Sequence, residues 1–357
     1  MRSGICMENA AVGATFLDAV RRAASLGILL LPLLVTGCPG PEPEPSGLSP
    51  GRWQTAVEAD ASVGALLSVW GPDPHDVWAV GGQVASIMDP GVGAAYRRLD
   101  GEWSPVELPA DVPLLNWVHG TDSRVWIVGN GGAALYHDGD AFVTTDTGTE
   151  VPLWGCWASG DDDVWAVGGD AFDADGAPVI LRWDGSAWTP QALPPLDRET
   201  NAMFKVWAAA SDAVWVVGAN GIILHFDGQA WTQQLAGTGN DLISLWGTGP
   251  AELVAVGGRS IGTIARFDGT SWSSENIGSV AGLNGIWMHP DGDAALAGNL
   301  GVAAILRPPA FDVELEDSGA GFLVLHGIFG FESGERIAVG GSLDRSPPYV
   351  GIIVETP

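Results

Sequence analysis

From residue 66 onward the chain repeats a unit of about 43 residues seven times, and no amphipathic helical stretch separates the copies. Each copy holds short apolar segments joined by tight-turn dipeptides, in a chain of 357 residues with 51 glycines and 17 tryptophans. These observations predict an all-β protein, a seven-bladed β-propeller with four antiparallel strands per blade. Apolar residues make up 46% and charged residues 16%, which is too hydrophobic a balance for disorder.

The first two strands of a blade are read from Leu67-Ser68-Val69-Trp70-Gly71, a short turn, and Asp76-Val77-Trp78-Ala79-Val80-Gly81. The second segment returns with Trp126, Trp165 and Trp215, then with Val254, Ala295 and Ile337 in the tryptophan's place. The aromatic of the first segment returns as Trp117, Trp157, Trp207, Trp246, Trp287 and Phe329. Val-Trp-Ala-Val is apolar on consecutive residues, the pattern of a strand covered on both faces, as in a sheet packed between two neighbours. The third and fourth strands flank an Asp-Gly dipeptide, as in Asp184-Gly185 followed by Trp188. Asp-Gly suits a two-residue hairpin because it tolerates positive φ. Fifteen of the seventeen tryptophans fall on these templates or on Trp53; Trp154 and Trp183 do not. The seventh copy ends after its third strand, at Tyr349–Glu355, and the missing fourth is at the other end of the propeller, in Gly51–Val57. Residues 51–58 are therefore expected to pair antiparallel with 348–355 and close the ring, hiding two sheet edges.

Ahead of the repeats, Ala23–Thr36 is an apolar run behind Arg21-Arg22, too short to span a bilayer and fit for a signal-peptide core. Val35-Thr36-Gly37-Cys38 resembles the lipobox of bacterial lipoproteins. That resemblance implies cleavage before Cys38 and acylation of its thiol and amine. Residues 1–37 are then the signal, 38–50 a Pro/Glu-rich linker and 51–357 the propeller. Alternating prolines from Pro39 to Pro50 make an extended spacer. Glu8 and Asp18 suit a signal n-region poorly, so translation is expected to start nearer Val20. Pro39 is not the aspartate that holds lipoproteins at the inner membrane. An outer-membrane location is expected, facing the periplasm or the surface. Cys6 leaves with the signal and Cys38 takes lipid, so Cys156 has no bridging partner and reads as a small core residue.

The formal net charge is −28, and Lys205 is the only lysine. A surface this acidic repels phosphate backbones and excludes a nucleic-acid partner. The strand and turn pattern at Gly221–Trp231 resembles the repeats of Asp-box propellers, which include sialidase-like and photosystem II assembly-factor proteins, and of tectonin-type lectins. Here the aspartate-to-tryptophan step is one residue shorter than in the Asp-box, and the serine two before the aspartate is absent. With its signal and spacer, the chain looks most like secreted bacterial repeat lipoproteins.

Sialidase-like hydrolysis needs an arginine cluster and a tyrosine nucleophile. Only Tyr96, Tyr136 and Tyr349 exist, and Arg97-Arg98 is the sole arginine pair after the signal. No Gly-x-Ser-x-Gly elbow, phosphate loop or paired-histidine metal motif is present. No catalytic residue is assigned. Asp76, Asp163, Glu252, Asp293 and Glu335 put an acid before the second strand of five blades, read as turn-closing groups with a cation-attracting rim as the alternative. Asp170, Asp173 and Asp175 precede Gly176 in an oxygen-rich loop, read as a solvated hairpin tip with calcium as the alternative. No other cofactor is expected. The irregular insertions at 82–93, 169–177, 190–204 and 341–348 share one face, and Asp173, Arg198 and Asn201 are the expected ligand contacts. The function read from all this is a monomeric, lipid-anchored binding or scaffold propeller for a protein partner. A lectin-like propeller for glycans is the runner-up, and an Asp-box-type glycoside hydrolase stands behind both.

Overall fold

A computed structural model describes residues 47–84, 90–173, 175–343 and 350–357. The signal segment, Cys38 and the linker through residue 46 lie outside the described residues. Seven four-stranded antiparallel sheets make up the fold, and in six of them the strands follow chain order. The seventh sheet takes its outermost strand from the N-terminal side, where Gln54–Ala59 pairs with Val350–Thr356. Gln54 faces Glu355 and Ala59 faces Gly351, so the ring closes by the expected latch. The protein is a seven-bladed β-propeller.

Aromatic packing joins blades on one side of the ring. Trp165 on the second strand of blade 3 is fully buried, with the rings of Phe226 and Trp231 of blade 4 at 5.4 and 5.5 Å. Trp126 meets Trp183 and Trp188 of blade 3 in the same way, and Trp78 meets His137 and Phe142 of blade 2. Trp183 therefore occupies a recurring aromatic position at the end of the third strand, which the sequence templates had left out.

The acids ahead of the second strands are held from within. Arg97 binds both oxygens of Asp76 at 2.7 Å and lies 4.8 Å over Trp78. Arg182 binds one oxygen of Asp163 at 2.9 Å and lies over Trp165, Arg307 pairs with Asp293, and Arg98 pairs with Glu335. Glu252 accepts from the Thr248 hydroxyl at 2.9 Å. None of these bonds is the backbone N–H contact expected of a turn-closing acid: four of the acids are paired with arginines, and Glu252 meets a neutral hydroxyl.

The spacer ends before Pro50. Leu48 is buried, its N–H donates to Asp293, and its carbonyl accepts from Arg307. The Ser49 carbonyl accepts from Arg336, whose guanidinium forms a bidentate pair with Glu316. Both side chains of that pair are at most 2% exposed. Gly51 N–H adds a third bond to Glu316, and Trp53 lies under the Arg336 guanidinium at 5.3 Å. One buried ion pair thus ties blade 6, blade 7 and the incoming N-terminal segment together.

Candidate functional site

The first strands of the seven blades touch one another in a closed ring around the axis. Each carries a β-bulge at the same place, one residue standing unpaired between two pairs of the ladder. In blade 1, Leu66 pairs with Gly81 and Ser68 with Val80, leaving Leu67 out. The same reading leaves out Asn116, Trp154, Phe204, Ile243, Asn284 and His326 in blades 2 to 7. A bulge re-aims a side chain, and all seven residues line one cavity of about 340 Å³. Sequence reasoning missed this ring, because a bulge is defined by the partner strand and not by the residue that forms it.

Three residues further along each strand lies an aromatic layer, the floor of the channel. Trp70, His119, Trp157, Trp207, Trp246, Trp287 and Phe329 meet across the axis, with Trp157 5.5 Å from Trp246 and Trp246 5.8 Å from Phe329. The cavity lining includes Trp117 and Lys205 but none of these seven, so the aromatic layer plugs the channel beneath this funnel. Glycine in the next blade makes room for the indoles, for a Cβ at Gly120 would lie 2.8 Å from Trp70. In blade 2 the floor position is His119, not Trp117. His119 pairs with Trp126 as Trp157 pairs with Trp165, and it stacks on Trp157 at 4.0 Å. The signal was available: a Leu or Met stands four residues before every floor aromatic, and Leu115 points to His119.

The displaced Trp117 belongs to a layer between bulges and floor, with Ser68, Gly155, Lys205, Ser244, Gly285 and Gly327. Five of these are small because neighbouring first strands crowd here; a Cβ on Gly155 would lie 2.8 Å from the Phe204 carbonyl oxygen. The two large members meet, Lys205 Nζ lying 2.9 Å over the Trp117 ring. Burial pushes the Lys205 amine well below its ordinary value, against a smaller opposing influence of Cys156. Burial also pushes the Cys156 thiol up to about 12, so it is an unreactive core group.

The funnel opens on the face of the irregular loops. Ala171, Phe172, Gly258, Arg259, Asn299 and Leu343 form its rim. Trp154 is fixed by its indole N–H on the Gly169 carbonyl at 2.8 Å, and Phe172 is 72% exposed beside it. Asn116 and Asn284 use one device in blades 2 and 6, each amide bridging an asparagine of the next loop and a carbonyl of the next blade. Arg259 is held by Asp241 at 2.7 Å.

The expected contact residues lie beside the funnel. Arg198 and Asn201 line an open groove of about 970 Å³, which shares Phe204 and Arg259 with the funnel. Arg198 pairs with Asp197 and donates to the Asn220 and Thr238 carbonyls, so much of its guanidinium stitches loops together. Asn201 donates to the backbone carbonyl of Asp173 at 2.9 Å. Asp170 and Asp173 each accept a backbone N–H two residues on, in Asx turns. Among the described residues no three metal-ligating side chains converge.

No family model and no curated protein sequence matches the chain. Solved structures do match. YCF48 bound to D1 peptide covers 86% of this chain and 97% of its own, with 16% identity and TM-score 0.60. The WD40 propeller domain of Doa1 shares 12% identity over 85% of this chain and 97% of its own, with TM-score 0.64. A catalytically inactive virginiamycin B lyase from Staphylococcus aureus, with quinupristin, shares 14% identity over 86% and 99%, with TM-score 0.65. At these identities the likeness shows the fold alone.

Proposed function

We propose that the protein is a non-catalytic binding propeller, exported and held by lipid on Cys38 at the outer membrane, that receives a segment of a protein partner in its axial funnel. One observation carries the reading. The first strand repeats from blade to blade, Leu or Met four before the floor aromatic, yet the bulged residue turned into the funnel is Leu, Asn, Trp, Phe, Ile, Asn or His. A scaffold position under packing constraint alone would repeat like its neighbours. Chemically varied side chains turned into one cavity are what recognition uses. The neighbour with a bound peptide supports a protein partner for a propeller of this shape.

The test is selection of peptides from a displayed library on the immobilised protein. Selected peptides should lose at least about tenfold in affinity, on the order of 1.4 kcal/mol, in a Trp154→Ala/Phe172→Ala variant. Phe172→Ala alone, at an exposed side chain, should weaken the same peptides while hardly moving the thermal midpoint. Equal affinity in the double variant, or glycan-array binding with no peptide selected, overturns the reading. The tether has its own check: Cys38→Ser should move the protein from the membrane fraction to the soluble extracytoplasmic fraction.

A further inference from the structure

The chain has 43 acidic residues and 15 basic ones. Among the described residues lining the funnel not one is acidic, while its only lysine and Arg259 are both there. Among the described residues three cations are buried: Arg98, Lys205 and Arg336. Arg98 holds Glu335 and Glu355, and Arg336 holds Glu316. Lys205 has no carboxylate among the described residues and meets the face of Trp117 instead. A buried amine either pairs with an acid or gives up its proton, and with no acid beside it among the described residues Lys205 is placed to pair with one that enters the funnel. The walls beside it are apolar, formed by Trp154, Phe172, Phe204 and Ile243. Asn116 is 95% buried and its Oδ1 has no hydrogen-bond partner, and neither has His326 Nε2.

We propose that the funnel binds an apolar carboxylic acid that carries an amide N–H, the chemistry of an N-acylated aromatic or aliphatic amino acid. The carboxylate sits toward Lys205 and Arg259, the apolar body lies on the Trp154 and Phe204 walls, and the N–H is offered to the unused acceptors of Asn116 and His326. Low local dielectric strengthens the charge pairing. The incoming carboxylate also restores the ammonium form that burial disfavours. The inference rests on the funnel being the ligand site. The end of a partner's peptide chain offers the same chemistry as a free acid, and the test separates the two.

The probes are N-acetyl-L-phenylalanine, its primary amide, and acetyl-Ala-Ala-Phe with a free carboxylate, measured by calorimetry on the purified protein. The parent should bind the acid at least about tenfold more tightly than the amide. Lys205→Met, which keeps the stem and removes the charge, should abolish that preference. Arg259→Gln, at an exposed side chain whose loss leaves the core intact, should reduce it and serves if the first variant does not fold. A tripeptide bound more than about tenfold more tightly than the free acid assigns the chemistry to a chain end, and comparable affinities assign it to the free acid. Equal binding of acid and amide by the parent, or a preference unchanged in both variants, overturns the inference and leaves the funnel as a site. Silence of all three probes overturns it together with the funnel as the ligand site.

Discussion

Replacing Glu316 with alanine should cost the protein about 3–5 kcal/mol and lower its thermal midpoint by several degrees. The substitution strips both oxygens from Arg336, whose side chain is only 1% exposed and cannot turn to water. It also removes the acceptor of the Gly51 N–H at 2.7 Å, which fixes the chain just ahead of the closing strand. The loss comes mainly from an orphaned buried charge rather than from the pair's own attraction. That distinction is measurable. Taking both charges away, as Glu316→Leu with Arg336→Met, should recover much of the loss, because two apolar groups then replace two desolvated ions. A double variant as unstable as the single one would show that the Ser49 and Gly51 contacts, not the unpaired guanidinium, set the cost. Chemical denaturation followed by tryptophan fluorescence reads both, since Trp53 lies against the same guanidinium.

Acidification should destabilise the fold well before its carboxylates titrate. Burial pushes His119 down to about 3 and His326 down to about 4. The sign follows from proton counts. Below the ordinary histidine value of 6.5 the unfolded chain takes up a proton at each site, while the native state does not until it reaches those lower values. Stability contributed by the neutral rings is complete above about 6.5 and falls as pH drops from there toward 3, by up to about 1.4 kcal/mol per pH unit for each group. Exposed acids with lowered values, among them Asp138, Asp184, Asp227 and Asp268, act in the same direction, but only near and below their ordinary value of 3.8. The interval from pH 6.5 to 4.5 thus reports the histidines and not those acids. Geometry names His119 within it. Its Nδ1 accepts the Ala158 N–H at 3.1 Å, and its ring is stacked on Trp157, so a proton has no room and removes an acceptor. His119→Asn offers an oxygen at the same place and cannot ionise. Its unfolding free energy should depend less on pH across that interval; an unchanged slope would remove His119 from the account.

How much of this was legible along the chain depends on how local each signal is. Seven Val-Trp-like strands, the Asp-Gly hairpins and the terminal latch follow from spacing and turn chemistry, which act within a few residues. Both-face burial of the blades also follows, because a strand apolar on consecutive residues has to be covered twice. The pairing of Asp76 with Arg97 was hidden because its partner lies a strand away. The exchange of Trp117 and His119 was hidden for a related reason. A template built on tryptophan takes the nearest indole, whereas the ladder selects by register.

The funnel is where sequence and tertiary structure part most clearly. Repetition alone determined the number of blades, the order of strands and the means of closure, because each repeat has to bury its faces against the next one. Which residue of each inner strand turns to the axis was decided only by the bulge it forms with its neighbour. Lys205 and Trp117, two blades apart, meet only because the ring is closed and narrow at that height. Crowding at the axis admits large side chains there only where facing positions are small, as at Gly155, Gly285 and Gly327.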